Sequence, residues 1–177
     1  MSNRMVIMRG FPSAGKSWTS KEILAKFKET EGKEGVILST DEYFYTMIGP
    51  PDEYTFDPRR LGTAHMWNQQ RTWDAVTEGV PLIIIDNTNT VISEARPYAE
   101  YGCLKDYEIS IQEPTSSWWL TIHDLLLDKK SNRSQLLEWA NKLAQKSKET
   151  HNVPLAVFQK MIQRWHNNMT VEELLRT

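Results

Sequence analysis

Eight consecutive residues carry the clearest chemistry. Gly10-Phe11-Pro12-Ser13-Ala14-Gly15-Lys16-Ser17 fits G-x-x-x-x-G-K-[ST]. In that spacing successive backbone N–H groups turn inward around a phosphate, and the glycines permit the backbone angles this needs. Lys16 reaches toward the β- and γ-phosphates. Ser17 can offer its hydroxyl to Mg²⁺ while the helix that starts there adds partial positive charge. A chance match in a chain this long is on the order of one in a hundred at average residue usage. The backbone amides of Ser13, Ala14, Gly15, Lys16, Ser17 and Trp18 are therefore the expected cradle for a nucleoside triphosphate. Trp18 is a peculiarity, because that position usually carries a smaller residue.

Two aspartates follow apolar runs in the same way. Asp86 ends Ile83-Ile84-Ile85, the pattern of an acid that supports Mg²⁺ beside the loop serine. Asp41 follows Val36-Ile37-Leu38-Ser39-Thr40. It is placed either to take a proton from an acceptor hydroxyl or to cap a helix. Asn87, Thr88 and Asn89 are short hydrogen-bonding residues that either position an acceptor or build a turn. The four histidines show no metal-ligand spacing, so structural roles are expected for each.

These residues need elements to hold them. Met5–Met8, Gly35–Ser39, Val80–Asp86 and Tyr107–Glu113 read as strands. The unbroken apolar run before Asp86 points to burial on both faces. Helical spacing covers 16–28, 59–78, 93–101 and most of the chain after 116, with Ser93 a candidate N-cap and Gly79 a candidate stop. Thr40–Pro58 reads as an irregular loop. Strands alternating with helices predict an α/β fold with a mostly parallel sheet and helices on both faces. In such folds ligands bind at the carboxyl ends of strands, which is where the loop, Asp41 and Asp86 fall. No repeat or linker interrupts the chain, so residues 1–177 are expected to form one domain.

The 177 residues hold 21 Lys plus Arg against 23 Asp plus Glu, a formal charge of −2. That argues against a generic nucleic-acid coat, which needs strong positive charge. The distribution is uneven. Five acids and no base lie between Asp41 and Asp57, whereas six bases and one acid lie between Lys129 and Lys148. The basic stretch is either a solvated helix face or a lid over phosphates, with 128–150 the candidate lid. A single cysteine excludes an internal disulfide, and no apolar run reaches membrane-spanning length. An intracellular protein without a membrane partner is expected. Seven tryptophans are unusual, and Trp118-Trp119 follow the fourth strand at the ligand-binding edge.

Further segments fall in order along nearly the whole chain. They are Arg9–Ser17, Ser39-Thr40-Asp41, Tyr54–Pro58, Ala64–Asn68, Ile84–Asn89, Glu94–Tyr98, Glu113–Trp119 and His151-Asn152-Val153-Pro154, with Met161, Arg164 and Trp165 after them. Together they resemble the P-loop kinase domain of the ubiquitin-ligase-binding protein family, which is related to polynucleotide 5′-hydroxyl kinases. The resemblance implies a P-loop, nucleotide-kinase-like domain with a parallel sheet of four to five strands, helices on both faces and a helical lid, with ATP and Mg²⁺ as cofactors and a 5′-hydroxyl of RNA or DNA as acceptor. It implies Asp41 as general base, Asp86 as the metal-supporting acid, and a lid cation on the γ-phosphate. Two departures are visible. The arginine that follows the base in polynucleotide kinases is Phe44 here, and the lid arginine has Arg133, Lys146 and Lys148 as its possible replacements. A kinase of a nucleoside, nucleotide or other small metabolite is the alternative, as is a nucleotide-binding interaction module.

Overall fold

The computed structural model describes residues 2–176. Four strands, β1 (Arg4–Met8), β2 (Val36–Leu38), β3 (Leu82–Ile85) and β4 (Glu108–Gln112), form one sheet in the order β2-β3-β1-β4. All neighbours are parallel, with Val6 opposite both Ile84 and Ser110, and Ile37 opposite Ile84. The strands therefore end at one common edge. The segments leaving them, at Arg9, Ser39, Asp86 and Glu113, meet there.

Eight helices complete the chain among the described residues: α1 (Lys16–Glu31), α2 (Tyr43–Thr46), α3 (Leu61–Glu78), α4 (Ile92–Leu104), α5 (Ser117–Leu126), α6 (Arg133–Ser147), α7 (Leu155–Arg164) and α8 (Val171–Leu175). The two-residue strand period sorts side chains to opposite faces. Val6, Met8, Leu82 and Ile84 meet Ile23, Leu24 and Phe27 of α1. Met5, Ile7, Ile83 and Ile85 meet Ala75 and Val76 of α3, Ala95, Tyr98 and Ala99 of α4, and Leu174 of α8. Helices on both faces are thus present, and β3 is buried along its whole length.

A separate apolar core joins α5, α6 and α7 through Trp119, Ile122, Leu126, Leu136, Ala140, Leu143 and Phe158. Phe11 and Ala14 of the phosphate loop belong to that core. The helical layer is therefore the loop's foundation.

Some boundaries differ from the sequence expectation for identifiable reasons. The third strand starts at Leu82, because the Val80 N–H bonds back to Ala75 at the helix end. Ser93 is not a cap. Glu94 instead reaches back to the N–H and hydroxyl of Thr90. The stretch 40–58 is regular only at its start, with a 3-10 turn at Thr40–Glu42 followed by α2, while 47–57 is irregular as expected.

Candidate active site at the carboxyl edge of the sheet

The phosphate loop links β1 to α1. Ser13 has φ 65° and Gly15 φ 99°, so the chain turns through left-handed conformations that point its amides inward. Gly15 fits because a side chain there would be strained. At Gly10 the constraint is space: a Cβ would come within 3.0 Å of the Pro114 ring. The segment after β4 clamps the loop from behind. The Ser116 hydroxyl donates to the Ala14 carbonyl at 2.8 Å, and the Trp118 indole N–H donates to Ser13 at 2.9 Å.

The Lys16 ammonium donates to the Phe11 carbonyl at 3.0 Å, folding back over its own loop. Burial lowers its pKa, and the nearby charges of Asp86 and Asp41 oppose that shift. Ser17 donates its hydroxyl to Asp86 at 3.0 Å. Burial raises the pKa of Asp86, while Lys16 and the Ser17 hydrogen bond work against the rise. This donor set fits a phosphate bearing a divalent ion: a carboxylate and a hydroxyl side by side, a cation near them, and a ring of amides. Trp18 stands on the first turn of α1 with 60% of its surface exposed.

Asp41 sits across this edge from the loop. The cap role falls to Ser39, whose hydroxyl accepts from the Asp41 N–H at 3.2 Å. The Asp41 carboxylate is therefore not committed to the helix start. Its side chain is 48% exposed and lies 3.4 Å from His151 Nδ1. Burial, followed by the charge of Asp41, keeps the Tyr54 hydroxyl protonated well beyond its usual range. Aromatic rings wall this region: Tyr54 stacks on His151 at 4.5 Å and lies parallel to Phe56 at 6.4 Å. Phe44 is fully buried beneath them and gives no polar group to the surface.

The three residues after Asp86 face different ways. Asn87 accepts from the Thr40 N–H at 2.9 Å and donates to the Tyr98 hydroxyl, tying β3 to the Asp41 turn. Thr88 accepts from the Gly10 N–H through its carbonyl, and its side chain is half-buried at the edge. Asn89 turns inward. It is 1% exposed and donates to the Met8 carbonyl, so it holds the scaffold and does not face an acceptor. Arg9, also buried, donates to the carbonyls of Asn89, Thr90 and His166 and lies 4.0 Å from the Trp165 ring. Burial brings its pKa down to about 10.

The basic segment divides as well. Lys146 lies 3.6 Å from the ring of Trp118, which itself holds the phosphate loop. Lys148 is exposed at the end of the same helix. Arg133 begins α6, thirteen residues before Lys146. At 1.5 Å per residue that separates their backbones by about 20 Å. Arg133 lies beside Lys129, Gln159 and Gln163 in a shallow hollow of about 250 Å³ between α6 and α7. Lys146 and Arg133 thus lie at opposite ends of α6, with Lys146 beside the Trp118 that holds the loop.

Sequence reasoning missed His151, Tyr54 and Arg9 as parts of this edge. Each opens one of the segments that carry the resemblance, Arg9–Ser17, Tyr54–Pro58 and His151-Asn152-Val153-Pro154, but nothing local signalled that the three meet at this edge.

A parallel sheet, a phosphate loop between β1 and α1, and an acid after β3 bonded to the loop serine define a kinase-like P-loop domain. Residues 5–167 match the family model described as AAA domain, and the chain belongs to that family. It is 40% identical over 115 residues to human NEDD4-binding protein 2, a match covering 65% of this chain. The matched part is only 6% of that relative's length. Among solved structures, the Pnkp1/Rnl/Hen1 RNA repair complex contains a chain that superposes with TM-score 0.55 at 14% identity, covering 92% of this chain and 44% of that one. A crystallised Chloroflexus aurantiacus chain gives TM-score 0.51 at 16% identity over 75% of this chain and 70% of its own. These likenesses extend to the fold. No helix among the described residues is long and apolar enough to cross a membrane.

Proposed function

We propose that the chain is an ATP- and Mg²⁺-dependent kinase that transfers the γ-phosphate to the 5′-hydroxyl of RNA or DNA. The observation that carries this reading is the position of Asp41. It is a half-exposed carboxylate at the edge where the phosphate loop opens, close enough to Lys16 for their charges to interact. The fold shared with a chain of an RNA repair complex supports the acceptor class.

In this reading the amides of 13–18 and Lys16 bind the donor phosphates. Ser17 and Asp86 hold the metal site. A divalent ion held there would supply charge neutralisation on the donor phosphates. Asp41 orients the acceptor hydroxyl and takes its proton as the acceptor oxygen bonds to the γ-phosphorus. The bond from that phosphorus to the β–γ bridging oxygen breaks, and ADP leaves with the electron pair. Lys146 or Lys148, on the candidate lid 128–150, neutralises the transferring group. Arg133, at the opposite end of α6 from Lys146, is the third candidate for that task. Asn87 and Thr88 border the acceptor side.

One observation favours a smaller acceptor. Phe44 occupies the place of the acceptor-binding arginine and is 0% exposed, so no cation meets a nucleic-acid phosphate there. A nucleoside, nucleotide or other metabolite is the second reading. Both are tested by offering γ-labelled ATP with a 5′-hydroxyl oligonucleotide and, separately, with nucleosides. Label on the oligonucleotide supports the first. Label on nucleosides alone supports the second, and ATP binding without transfer supports an interaction module. Asp41→Asn should keep ATP binding and lose about 10²–10⁴ in rate. Near-normal transfer by that variant removes Asp41 from the mechanism.

A further inference from the structure

A residue far along the chain, His151, meets Asp41 beside two aromatic rings of the segment that follows Asp41. His151 Nδ1 lies 3.4 Å from one carboxylate oxygen, Oδ2. The imidazole is itself held on two sides. It stacks on Tyr54 with ring planes 27° apart, and it meets Tyr45 edge-on at 6.1 Å. The neighbouring acid is satisfied elsewhere, because Glu42 pairs with Arg71 at 2.7 Å. Asp41 has no cationic partner other than His151 among the described ion pairs.

The turn that presents His151 is built from buried groups. Ser147, 1% exposed at the end of α6, accepts the Asn152 N–H on its carbonyl at 2.7 Å. Its hydroxyl accepts the Val153 N–H at 3.0 Å. Asn152 turns through φ 49°, a left-handed value that asparagine tolerates better than most residues, and Pro154 then caps α7. The backbone just after His151 is thereby fixed by two hydrogen bonds to one buried serine.

We propose that His151 is a positioning residue for Asp41. Its Nδ1 stands at ion-pair distance from Oδ2 and restrains the carboxylate rotamer, which orients Asp41 toward the acceptor hydroxyl. The ring stack and the Ser147 turn restrict the imidazole, so the carboxylate is oriented before the acceptor arrives. The same turn follows the helix that carries Lys146, whose ammonium lies over the Trp118 ring that holds Ser13 of the phosphate loop. The inference rests on the reading of Asp41 as general base.

The test compares His151→Ala, His151→Asn, Asp41→Asn and the double variant Asp41→Asn/His151→Ala in full chains. Transfer to the better acceptor and binding of ATP are measured for each. His151→Ala should lower kcat about 10–100-fold, the usual scale for losing an outer partner of a functional group, with the KM for ATP unchanged. Asparagine places an amide N–H near the former Nδ1, so His151→Asn should recover part of the loss. The double variant should be no slower than Asp41→Asn alone, because His151 acts through Asp41. Wild-type kcat in His151→Ala, equal losses in the Ala and Asn variants, or additive losses in the double variant would overturn the inference. Transfer that survives Asp41→Asn would instead overturn the general-base reading beneath it. Thermal midpoints separate a misfolded variant from a slow one, and His151→Asn serves if His151→Ala does not fold.

Discussion

The phosphate loop and the wall around Asp41 lie at the same sheet edge, yet they are assembled differently. The loop is eight contiguous residues whose foundation is apolar. Phe11 packs edge-on against Trp119 at 5.1 Å and Trp165 at 5.4 Å, and Pro114, Ser116 and Trp118 close over the back. The wall draws on Asp41, Tyr45, Tyr54, Phe56, His65 and His151, joined by ring contacts and a few polar ones. A donor common to many enzymes can be held by a fixed local motif. An acceptor that differs among them is met by groups gathered from several connections, where loops vary without disturbing the scaffold.

If the loop depends on that aromatic foundation, Trp119 is where it should break. The side chain is 1% exposed, and its indole N–H donates to Glu113 at 2.8 Å. Trp119→Ala should cost about 3–5 kcal/mol of stability, read from urea unfolding. In the fraction that stays folded, ATP binding should weaken more than acceptor binding. A loss confined to the acceptor would reverse the division between the two halves.

Lys16→Met comes next. It removes the cation from the donor half and leaves the wall untouched. Losing one preorganised donor to developing charge typically costs about 10²–10³ in kcat, or about 2.7–4 kcal/mol. Steady-state rates with two acceptors should fall by the same factor. A factor that depended on the acceptor would show that Lys16 serves both halves.

The same division explains what could be read from sequence. The loop, β1, β3 and Asp86 were legible because each is signalled within about ten residues: glycine and lysine at fixed spacing, or an apolar run closed by an acid. The position of Asp41 was legible but its role was not, since only the fold shows Ser39 taking the cap. His151 reaches Asp41 across 110 positions of chain, and no local pattern encodes that contact. Asn87 and Asn89 are two residues apart and chemically identical. One ties the Asp41 turn, and the other, where the chain turns through φ 44°, is buried and donates to the end of β1. The tryptophan pair parts similarly: Trp119 enters the core while Trp118 holds the loop.

On the acceptor half, Phe56 is the exposed ring of the wall, 48% accessible and parallel to Tyr54. Stacking of a nucleic-acid base on an aromatic side chain is worth about 1–3 kcal/mol. Phe56→Ala should therefore raise the oligonucleotide KM about 5–150-fold while leaving the KM for ATP and the unfolding midpoint nearly unchanged. An unaffected oligonucleotide KM would mean that the base does not lie on this ring.

The smallest effect concerns pH and also belongs to the acceptor half. His65 on α3 is half-buried, with Nδ1 3.4 Å from the Thr40 hydroxyl. Burial lowers its pKa below the ordinary 6.5, and the charges of Glu94 and Asp41 only partly offset this. The unfolded chain therefore binds a proton at His65 more readily than the folded chain. The contribution is fully present above pH of about 6.5 and is lost as pH falls from there through the depressed folded value. Unfolding midpoints of the wild type should fall across that window. His65→Gln, which keeps a hydrogen-bonding group without a titrating ring, should show a shallower fall, while the two curves stay parallel above pH of about 7. Parallel curves through the acid window as well would place the proton uptake elsewhere in the wall.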